Sequence, residues 1–238
     1  MQFKIRHECI PLGLPEPMRI VALSDLHIGS WLRADDVEDV IKAANDASPD
    51  FIALLGDYVM ASPEHAYEAA RALGNLQAPL GVYAVLGNHD YWAAREIMKE
   101  MLEREGIQVL INERRRIVKG DAQLLLVGFD DIWWGIPAWR IALDGSESGV
   151  PVVVMVHNPD AALDERAQRV NLILAGHTHG GQVNPFGRFV IPSRFGRQHP
   201  AGLTRHGNVW VFITSGVGMV TLPIRFRCPP EVAVLELM

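Results

Sequence analysis

The chain has 238 residues, long enough for one large domain or two small ones, and its 49% hydrophobic and 21% charged residues are typical of a soluble globular protein. It has no apolar run of about 18 residues, which excludes a transmembrane helix, and its first residues lack the apolar core of a signal peptide, so we expect a cytoplasmic protein. The net charge of −6 hides an asymmetry, because residues 171–230 carry six arginines and no acidic residue, a pattern typical of contact with an anionic partner.

The first half of the chain alternates strand-like and helix-like segments. Residues 2–10 alternate apolar and charged side chains, which predicts an amphipathic strand with Phe3, Ile5 and Cys9 on its apolar side. Apolar runs predict buried strands at residues 20–23, 51–55 and 82–86. Helical spacing and capping residues predict helices at residues 35–47, 62–73 and about 92–104. Cys9 and Cys228 do not have the spacing of a metal-binding pair, and we expect both to be reduced and partly buried.

The second half of the chain is mostly strand. Short strands are predicted over residues 107–129, followed by a short helix near 137–143. Further strands are predicted at 152–156, 172–175, 209–213 and 232–237, with a long loop at 180–206. No linker separates the two halves, so we predict a single domain over residues 1–238, of the α/β (α+β) class, in which mixed β-sheets are flanked by helices.

Five of the predicted buried strands end in aspartate, asparagine or histidine. The polar residues at these ends are Asp25 and His27, Asp57, Asn88 and His89, His157, and His177 and His179. Any one of them could be an ordinary turn former, helix cap or hydrogen-bonded histidine. In open α/β sheets, however, sites form outside the carboxyl ends of the strands. Five such ends together predict one metal centre.

The candidate metal ligands are Asp25, His27, Asp57, Asn88, His157, His177 and His179. Two carboxylates, four imidazoles and one amide oxygen suit Mn²⁺, Fe²⁺/Fe³⁺ or Zn²⁺ better than Ca²⁺ or Mg²⁺, which prefer oxygen ligands. Seven ligands are too many for one tetrahedral ion but suit two ions that share a carboxylate. Two ions about 3.5–4 Å apart clamp phosphoryl oxygens and generate hydroxide from water, so we predict two divalent metal ions and a phosphate-ester substrate. The other histidines, His7, His65, His199 and His206, are expected not to be ligands.

These strand-end motifs resemble the signature of the calcineurin-like metallophosphoesterases. The matching residues are Asp25-Leu26-His27, Gly56-Asp57, Gly87-Asn88-His89-Asp90, His157 and Gly176-His177-Thr178-His179, and they occur in that order. The resemblance implies a four-layer sandwich of two mixed β-sheets with helices outside.

The resemblance also implies roles for the individual residues. Asp25, His27 and His179 would hold the first metal ion, Asn88, His157 and His177 would hold the second, and Asp57 would bridge them. His89 would donate a proton or hydrogen bond to the leaving oxygen, and Asp90 would orient His89.

The C-terminal motifs Gly180-Gly181-Gln182, Ser215-Gly216-Val217-Gly218 and residues 223–231 resemble a bacterial subgroup of the family. Relatives in this subgroup act on phosphodiesters or on the pyrophosphate bond of UDP-2,3-diacylglucosamine, which implies hydrolysis of a phosphodiester or pyrophosphate bond. A phosphomonoesterase or protein phosphatase is an alternative. A non-catalytic, metal-stabilised binding module is another, although such a protein is expected to have lost His89 or a metal ligand.

Two segments carry candidate substrate contacts. Arg188 and Arg194 lie among phenylalanines in the loop 183–206, which would suit a nucleotide- or lipid-linked phosphate or peripheral contact with an anionic membrane. We favour the alternative of a packed loop with solvated arginines. Trp133 lies in a tryptophan-rich stretch that could form a wall for a base or an acyl chain, or a hydrophobic plug between a helix and a sheet. The acidic net charge argues against nucleic acid as a partner.

Overall fold

The computed structural model describes residues 1–29, 31–60, 62–144, 149–183 and 191–238. The strands in these ranges are β1 (Lys4–Ile10), β2 (Met18–Leu23), β3 (Phe51–Leu54), β4 (Val82–Ala84), β5 (Gln108–Val109), β6 (Glu113–Lys119), β7 (Ala122–Gly128), β8 (Val152–Met155), β9 (Leu172–Ala175), β10 (Gly202–His206), β11 (Val209–Ile213) and β12 (Glu231–Leu237). The α-helices in these ranges are α1 (Glu38–Asp46), α2 (Ala66–Leu73), α3 (Asn88–Arg104) and α4 (Trp139–Leu143). Short 3₁₀ turns at Ala34–Val37 and Pro63–His65 lead into α1 and α2.

The described strands form two six-stranded mixed sheets. The first sheet has the order β1-β12-β2-β3-β4-β5, in which β2 to β5 are parallel and β12 is antiparallel to β2. The second sheet has the order β10-β11-β9-β8-β7-β6, in which the four central strands are parallel and each edge strand is antiparallel to its neighbour. Because β12 lies between β1 and β2, the chain returns at its end to the sheet in which it started.

Hydrophobic clusters fill the space between the layers. One cluster joins the inner faces of the two sheets and includes Phe51 and Tyr83 from the first sheet and Leu126 and Phe212 from the second. Another packs the outer face of the first sheet against α1, α2 and α3, and a third packs the outer face of the second sheet against α4 and the segment after β8. The result is a helix–sheet–sheet–helix sandwich, which confirms the predicted fold class.

The central strands are short and apolar because both of their faces are covered. Every side chain of β3, β8 and β9 is buried, as expected for parallel strands between two packed layers. The polar residues that follow these strands are therefore the first ones outside the core, at one common edge of the sandwich.

The N-terminal strand is oriented differently from its sequence pattern. Ile5 is 49% exposed and Cys9 is exposed, whereas Arg6 points to the fully buried carboxylate of Glu231. A buried carboxylate must be paired, and on an edge strand this need outweighs the burial of one isoleucine. The expectation that both cysteines are partly buried is therefore wrong for Cys9, while Cys228 is buried and both are free thiols.

Two element boundaries also differ from the sequence pattern. Residues 202–206 form β10 instead of a loop, because they pair antiparallel with β11. Helix α3 begins at Asn88 and not near Trp92, because the Asp90 carboxylate accepts a hydrogen bond from the amide of Gly87 and so caps the helix early. Within the described ranges, no helix combines the length and apolar character that crossing a bilayer requires.

Candidate metal centre

The five strand ends converge at one edge of the sandwich. Strands β2, β3 and β4 end side by side in the first sheet, and β8 and β9 end side by side in the second. Hydrogen bonds join the sheets there, and two of them involve predicted ligands of both sheets or their neighbours. His157 Nδ1 lies 2.7 Å from the carbonyl oxygen of Leu55, and the amide of His177 donates to Asp25 Oδ2 over 3.0 Å. The structure thus brings together all seven predicted ligands.

Most of the predicted ligands have a left-handed backbone. The φ angle is +53° at Asp25, +50° at His27, +58° at Asp57, +69° at His177 and +51° at His179. This conformation is uncommon for residues that carry a Cβ atom, and it is unfavourable by about 1–3 kcal/mol at each position. Strain of this kind collects at functional sites, where the surrounding structure holds a side chain in a required direction.

Two glycines let neighbouring motifs approach each other. A Cβ atom at Gly87 would lie 2.2 Å from Oδ1 of Asp57, and a Cβ atom at Gly176 would lie 2.6 Å from Oδ2 of Asp25. Both distances are too short for any side chain. Gly87 is therefore required by the Asp57 carboxylate, and Gly176 by the Ser24 hydroxyl, which lies 2.0 Å from such a Cβ atom, together with the Asp25 carboxylate.

One group of side chains contains Asp25, His27 and His179, all of them buried. The Nε2 atoms of His27 and His179 lie 3.0 Å apart. Oδ1 of Asp25 lies 3.3 Å from Nε2 of His179 and 3.9 Å from Nε2 of His27. The ligand atoms of the three residues lie within 4.8 Å of one another, which is close enough to surround one ion.

A second group contains Asp57, His157 and His177, whose ligand atoms also lie within 4.8 Å of one another. Nε2 of His157 lies 3.0 Å from Oδ2 of Asp57 and 3.2 Å from Nδ1 of His177. Asn88 lines the same cavity, is 2% exposed, and has no hydrogen-bond partner for its Oδ1 atom among the described residues. A buried amide oxygen without a partner is destabilising, and coordination of a cation would satisfy it.

Asp57 joins the two groups. Its Oδ2 atom lies 3.6 Å from Nε2 of His27 in the first group and 3.0 Å from Nε2 of His157 in the second. Its Oδ1 atom accepts a hydrogen bond from the backbone amide of His89 over 2.9 Å, which fixes the carboxylate plane. One carboxylate oxygen therefore faces imidazole nitrogens on both sides.

Three of the imidazoles are held in the neutral form that a metal ligand needs. Burial lowers the pKa of His27 to about 3, although the Asp57 carboxylate opposes this shift. Burial and the neighbouring His157 lower the pKa of His177 to about 4, and burial holds the pKa of His179 well below its usual range. Neutral imidazoles with free lone pairs, together with carboxylates, match the donor set of a divalent transition metal.

The fourth imidazole marks a position where positive charge is required. Burial lowers the pKa of His157, but the Asp57 carboxylate outweighs burial and raises it to about 10. The Nδ1 atom of His157 is directed at the carbonyl oxygen of Leu55, so Nδ1 carries a proton. The Nε2 atom then meets a carboxylate oxygen at 3.0 Å, and only a second proton or a cation between them makes this contact favourable. The residues present thus fit a metal ion at this point.

His89 lies at the wall of the site, half-buried. Its Nδ1 atom faces the carbonyl oxygen of Met60, which can only accept a hydrogen bond, so Nδ1 carries a proton. The Nε2 atom is therefore the nitrogen that can gain or lose a proton. The His89 ring stands edge-on to the ring of His27 at 4.6 Å and packs on the ring of Trp92 at 4.3 Å between centroids. His89 also forms a third set of candidate ligand atoms with His27 and Asp57.

Asp90 does not have the predicted contact with His89. Its fully buried carboxylate accepts hydrogen bonds from the amides of Asp57 and Gly87, over 2.8 and 2.9 Å, and from the amide of Tyr58 over 2.8 Å. The His89 ring is held instead by the Met60 carbonyl oxygen. Adjacent residues at a helix start point in different directions, so Asp90 caps α3 and fixes the turn that carries Asp57. Burial and then Asp57 raise the pKa of Asp90 to about 7.

Of the three predicted substrate-contact residues, Trp133 lies at the metal site and Arg194 does not. A cavity of about 650 Å³ lies over the metal-ligand groups, and Trp133 lines it. Arg194 is exposed, does not line this cavity, and has its backbone amide bound by Asp160 over 3.0 Å. Arg188 lies outside the described residues.

The two segments that carry these residues are partly packed. Phe195 is buried against the rings of His199 and His206, at 5.0 and 5.3 Å, whereas Arg194 beside it is exposed. In the tryptophan-rich stretch, Trp139 is buried against Phe129, whereas Trp133 remains 44% exposed. That stretch is therefore a plug at one end and a cavity wall at the other.

Two residues at the site have no counterpart in the sequence predictions. Trp92 packs on His89, and its position three residues later on the same helix face is a signal that could have identified it. Arg225 places Nη2 3.4 Å from Nδ1 of His179 and donates to the carbonyl oxygen of Gly218 over 2.6 Å. No local pattern marks Arg225, because its contacts are made across the tertiary structure.

Comparison with known proteins agrees with this geometry. The family model for calcineurin-like phosphoesterases matches residues 18–181, a range that contains all of the predicted ligands. The chain is 34% identical over 228 residues to phosphodiesterase YaeI of Escherichia coli, which covers 93% of this chain and 83% of the relative. It is 31% identical over 239 residues to a Bacillus subtilis protein named uncharacterized metallophosphoesterase YkuE, covering 98% of this chain and 83% of that protein.

Solved structures share the fold. A 5′-nucleotidase precursor from Thermus thermophilus aligns with a TM-score of 0.58 and 11% identity, over 94% of this chain and 54% of that one. The protein TT1561 of the same organism aligns with a TM-score of 0.52 and 16% identity, over 84% of this chain and 90% of that one. From the family match, the relatives and the ligand geometry together, the chain belongs to the calcineurin-like phosphoesterase family of metal-dependent phosphoesterases.

Proposed function

We propose that the protein is a dinuclear metal-dependent phosphodiesterase that hydrolyses a phosphodiester or pyrophosphate bond. The observation that carries this proposal is the position of Asp57 Oδ2, which faces His27 Nε2 at 3.6 Å and His157 Nε2 at 3.0 Å. A carboxylate oxygen between two sets of imidazole nitrogens is arranged to bridge two cations. The mixed nitrogen and oxygen donors suit manganese, iron or zinc.

Each group of side chains would hold one ion. Asp25, His27 and His179 would hold the first, Asn88, His157 and His177 would hold the second, and Asp57 would contact both. When bound, two such ions neutralise charge on the phosphoryl oxygens and lower the pKa of water. The protein contributes fixed ligand directions, through the left-handed turns and through hydrogen bonds such as that between His157 and Leu55.

His89 would assist departure of the leaving group. The Met60 carbonyl oxygen accepts a hydrogen bond from Nδ1, so Nε2 is the nitrogen that acts on the leaving oxygen. The ring would donate from its imidazolium form, in which both nitrogens carry a proton, and would be left neutral with its proton on Nδ1. His89 lines the cavity beside Asn88, which places this proton next to the second ligand group. A positioned general acid of this kind contributes about 10²–10⁴-fold to turnover.

The charge of the cavity favours a diester over a monoester. The described residues that line it include no lysine or arginine. Among these residues, a dianionic monoester would therefore gain no charge compensation outside the metal site, whereas a diester has one negative charge and a second ester group that a cavity of about 650 Å³ can hold. The relative named phosphodiesterase YaeI supports this preference.

The first experiment compares two chromogenic substrates with purified protein and added Mn²⁺. We expect bis(p-nitrophenyl) phosphate to be hydrolysed with a kcat/KM at least about tenfold above that of p-nitrophenyl phosphate, because none of the described residues that line the cavity is a lysine or an arginine that would bind a dianion. A faster monoester reaction would favour the phosphomonoesterase alternative. Two bound ions per chain with no release from either substrate would favour a binding role.

The variant Asp57→Asn tests the bridging position. We expect it to bind at most one Mn²⁺ per chain and to lose more activity than the about 10²–10⁴-fold expected for removal of a general acid, because one change weakens both ions. Metal content by atomic emission and diesterase rates provide the measurement. The control is Asp144→Asn, which changes an exposed carboxylate. A variant with two ions and the native rate would contradict the bridging role.

A further inference from the structure

The cavity above the metal-ligand groups has an apolar side. Its apolar lining residues, which we call the apolar wall, are Trp92, Trp133, Val183, Pro192, Val220 and Leu222. The same cavity is also lined by the metal-site residues Asp57, Asn88, His89, His177 and His179. A ligand in this cavity of about 650 Å³ would therefore lie beside both the metal site and the apolar wall.

The apolar wall contacts the proposed catalytic groups directly. The ring of Trp133 stands edge-on to the ring of His177 at 4.6 Å, and the ring of Trp92 packs on His89 at 4.3 Å. Trp92 and Trp133 are 48% and 44% exposed, and Leu222 is 52% exposed. Large apolar side chains that stay half-exposed beside a polar centre are typical of a ligand-binding surface.

The loop that carries Trp133 is built to hold this exposed position. Oδ1 of the buried Asp131 accepts hydrogen bonds from the amides of Trp133 and Trp134, over 2.9 and 2.8 Å. The neighbouring Asp130 carboxylate accepts a hydrogen bond from the hydroxyl of Tyr91 on α3. These contacts hold the backbone of the loop at Trp133 and Trp134, while the two tryptophan side chains stay 44% and 58% exposed.

The charge of the cavity limits what else the ligand can carry. None of the described lining residues is a lysine or an arginine, so the part of a ligand that lies against the apolar wall meets no positively charged side chain among them. An uncharged apolar group would instead displace water from tryptophan, leucine, valine and proline side chains, which is favourable in proportion to the apolar area covered.

We propose that the substrate is a phosphoester with a long alkyl or acyl substituent, which lies along the apolar wall while its phosphate occupies the metal site. This inference rests on the proposed phosphodiesterase function and specifies its substrate class. Trp133 and Leu222 are the residues that determine this specificity.

The test is a series of p-nitrophenyl phosphodiesters with methyl, hexyl and dodecyl groups as the second ester, assayed with Mn²⁺ below their critical micelle concentrations. The leaving group is constant, so differences in kcat/KM report the apolar contact. We expect a rise of up to about fourfold for each fully buried methylene, and at least about tenfold from methyl to dodecyl.

A matched pair of variants locates the contact. Leu222 and Ile224 are 52% and 53% exposed and lie two residues apart, but only Leu222 lines the cavity. We expect Leu222→Ala to lower the dodecyl-to-methyl ratio of kcat/KM about five- to tenfold and Ile224→Ala to leave that ratio unchanged. Trp133→Ala should lower the ratio at least as much as Leu222→Ala. An equal fall of the dodecyl-to-methyl ratio in Leu222→Ala and Ile224→Ala would show that the alkyl chain contacts the outer surface and not the cavity, and would overturn the inference.

Failure of the inference can be told apart from failure of the proposed function. Equal kcat/KM for the methyl and dodecyl esters would overturn the apolar substrate class and leave the diesterase function standing. No release from any ester would overturn the diesterase function. In that case the inference is tested by binding. Methyl alkyl phosphinates are monoanions with no ester bond to cleave, and their Kd is measured from the quenching of tryptophan fluorescence. A Kd that falls at least about tenfold from methyl to dodecyl supports it, and a constant Kd overturns it.

Discussion

At the scale of single residues, the protein concentrates strain and burial at a few functional positions. Asp25, His27 and Asp57 each combine a left-handed backbone with a buried polar side chain. Both features are unfavourable in the absence of a partner, and the convergence of these residues on shared points indicates that a cation is that partner. The Asn88 side-chain oxygen, which has no hydrogen bond from the described part of the chain, is a further indication of the same kind.

His89→Ala tests the role of the half-buried histidine at this centre. We expect kcat to fall about 10²–10⁴-fold with two metal ions still bound, because the ring delivers a proton and is not required as a ligand. Diesterase rates and metal content per chain provide the measurement. The control is His206→Ala, which removes a histidine that packs on Phe195 outside the metal site. Loss of one ion in His89→Ala would show that His89 is a ligand, as its distance to His27 and Asp57 also permits.

Asp90→Asn distinguishes a capping role from control of His89. The carboxylate has two oxygens that accept from the amides of Asp57, Tyr58 and Gly87, whereas an asparagine side chain has one. We expect a loss of about 1–3 kcal/mol in the free energy of unfolding, together with reduced metal content, because the turn of Asp57 shifts. Urea denaturation and metal analysis measure both. Unchanged stability and metal content with a lower kcat would instead support an effect on His89.

At the scale of elements, the same unit recurs at each part of the site. A short buried strand ends, a tight turn follows, and the polar side chain after the turn lies at the edge of the sandwich where the ligand groups meet. In β3 this unit is completed by Gly56 and Asp57, and in β9 by Gly176 and His177. The strands are rigid because both faces are packed, so the turns present their side chains from fixed positions.

The first residue of β12, Glu231, forms ion pairs with β1 whose strength depends on pH. The buried Glu231 carboxylate binds Lys4 and Arg6 of β1 at 2.9 and 2.8 Å. Burial opposes ionisation, but the hydrogen bonds from Arg6 and Lys4 outweigh it and lower the pKa of Glu231 below its ordinary value of 4.5. A carboxyl group with a lowered pKa in the folded state stabilises the protein above its unfolded pKa, and this stability is lost as pH falls through the folded value.

Glu231→Gln should therefore destabilise the protein at neutral pH, by about 1–3 kcal/mol in the free energy of unfolding. The difference from the native protein should shrink as pH is lowered below about 4. Urea denaturation across this pH range provides the measurement. The control is Glu8→Gln, which removes a half-exposed partner of the same Arg6 and should change stability little. A difference that stays constant with pH would contradict the ion-pair explanation.

At the scale of the whole molecule, the two sheets depend on each other. The core between them contains side chains from both, and the metal-ligand groups draw on both as well. The C-terminal β12 lies inside the first sheet, although the preceding strands β6 to β11 belong to the second. We therefore propose that residues 1–238 form one domain.

Calorimetry tests the single domain. We expect one thermal transition whose calorimetric enthalpy equals its van't Hoff enthalpy, because neither sheet can unfold without exposing the shared core. The measurement is made on metal-free protein, so that loss of bound ions does not add a separate step. Two separable transitions, one for each sheet, would contradict the proposal.

The division into two packed sheets was implied by the resemblance to the metallophosphoesterase signature. The sequence by itself determined the recurring strand-end pattern, the class of mixed sheets flanked by helices and the seven polar residues at the strand ends. Each of these depends on local information. An apolar run such as residues 152–156 must be buried, and the first polar residue after it, His157, must lie at the end of that buried strand. Because parallel strands end at the same edge, the pattern also predicts which side chains meet.

Only the tertiary structure decided the partners of Asp90, the inward direction of Arg6, the contact of Arg225 with His179 and the apolar wall. Asp90 binds the amide of Tyr58, and Trp133 shares a cavity with Leu222, which are contacts between residues far apart along the chain. No periodicity encodes such contacts, because they depend on how packed layers bring distant loops together. The chemistry of the site is thus readable from local sequence, whereas the shape of its substrate pocket depends on the folded chain.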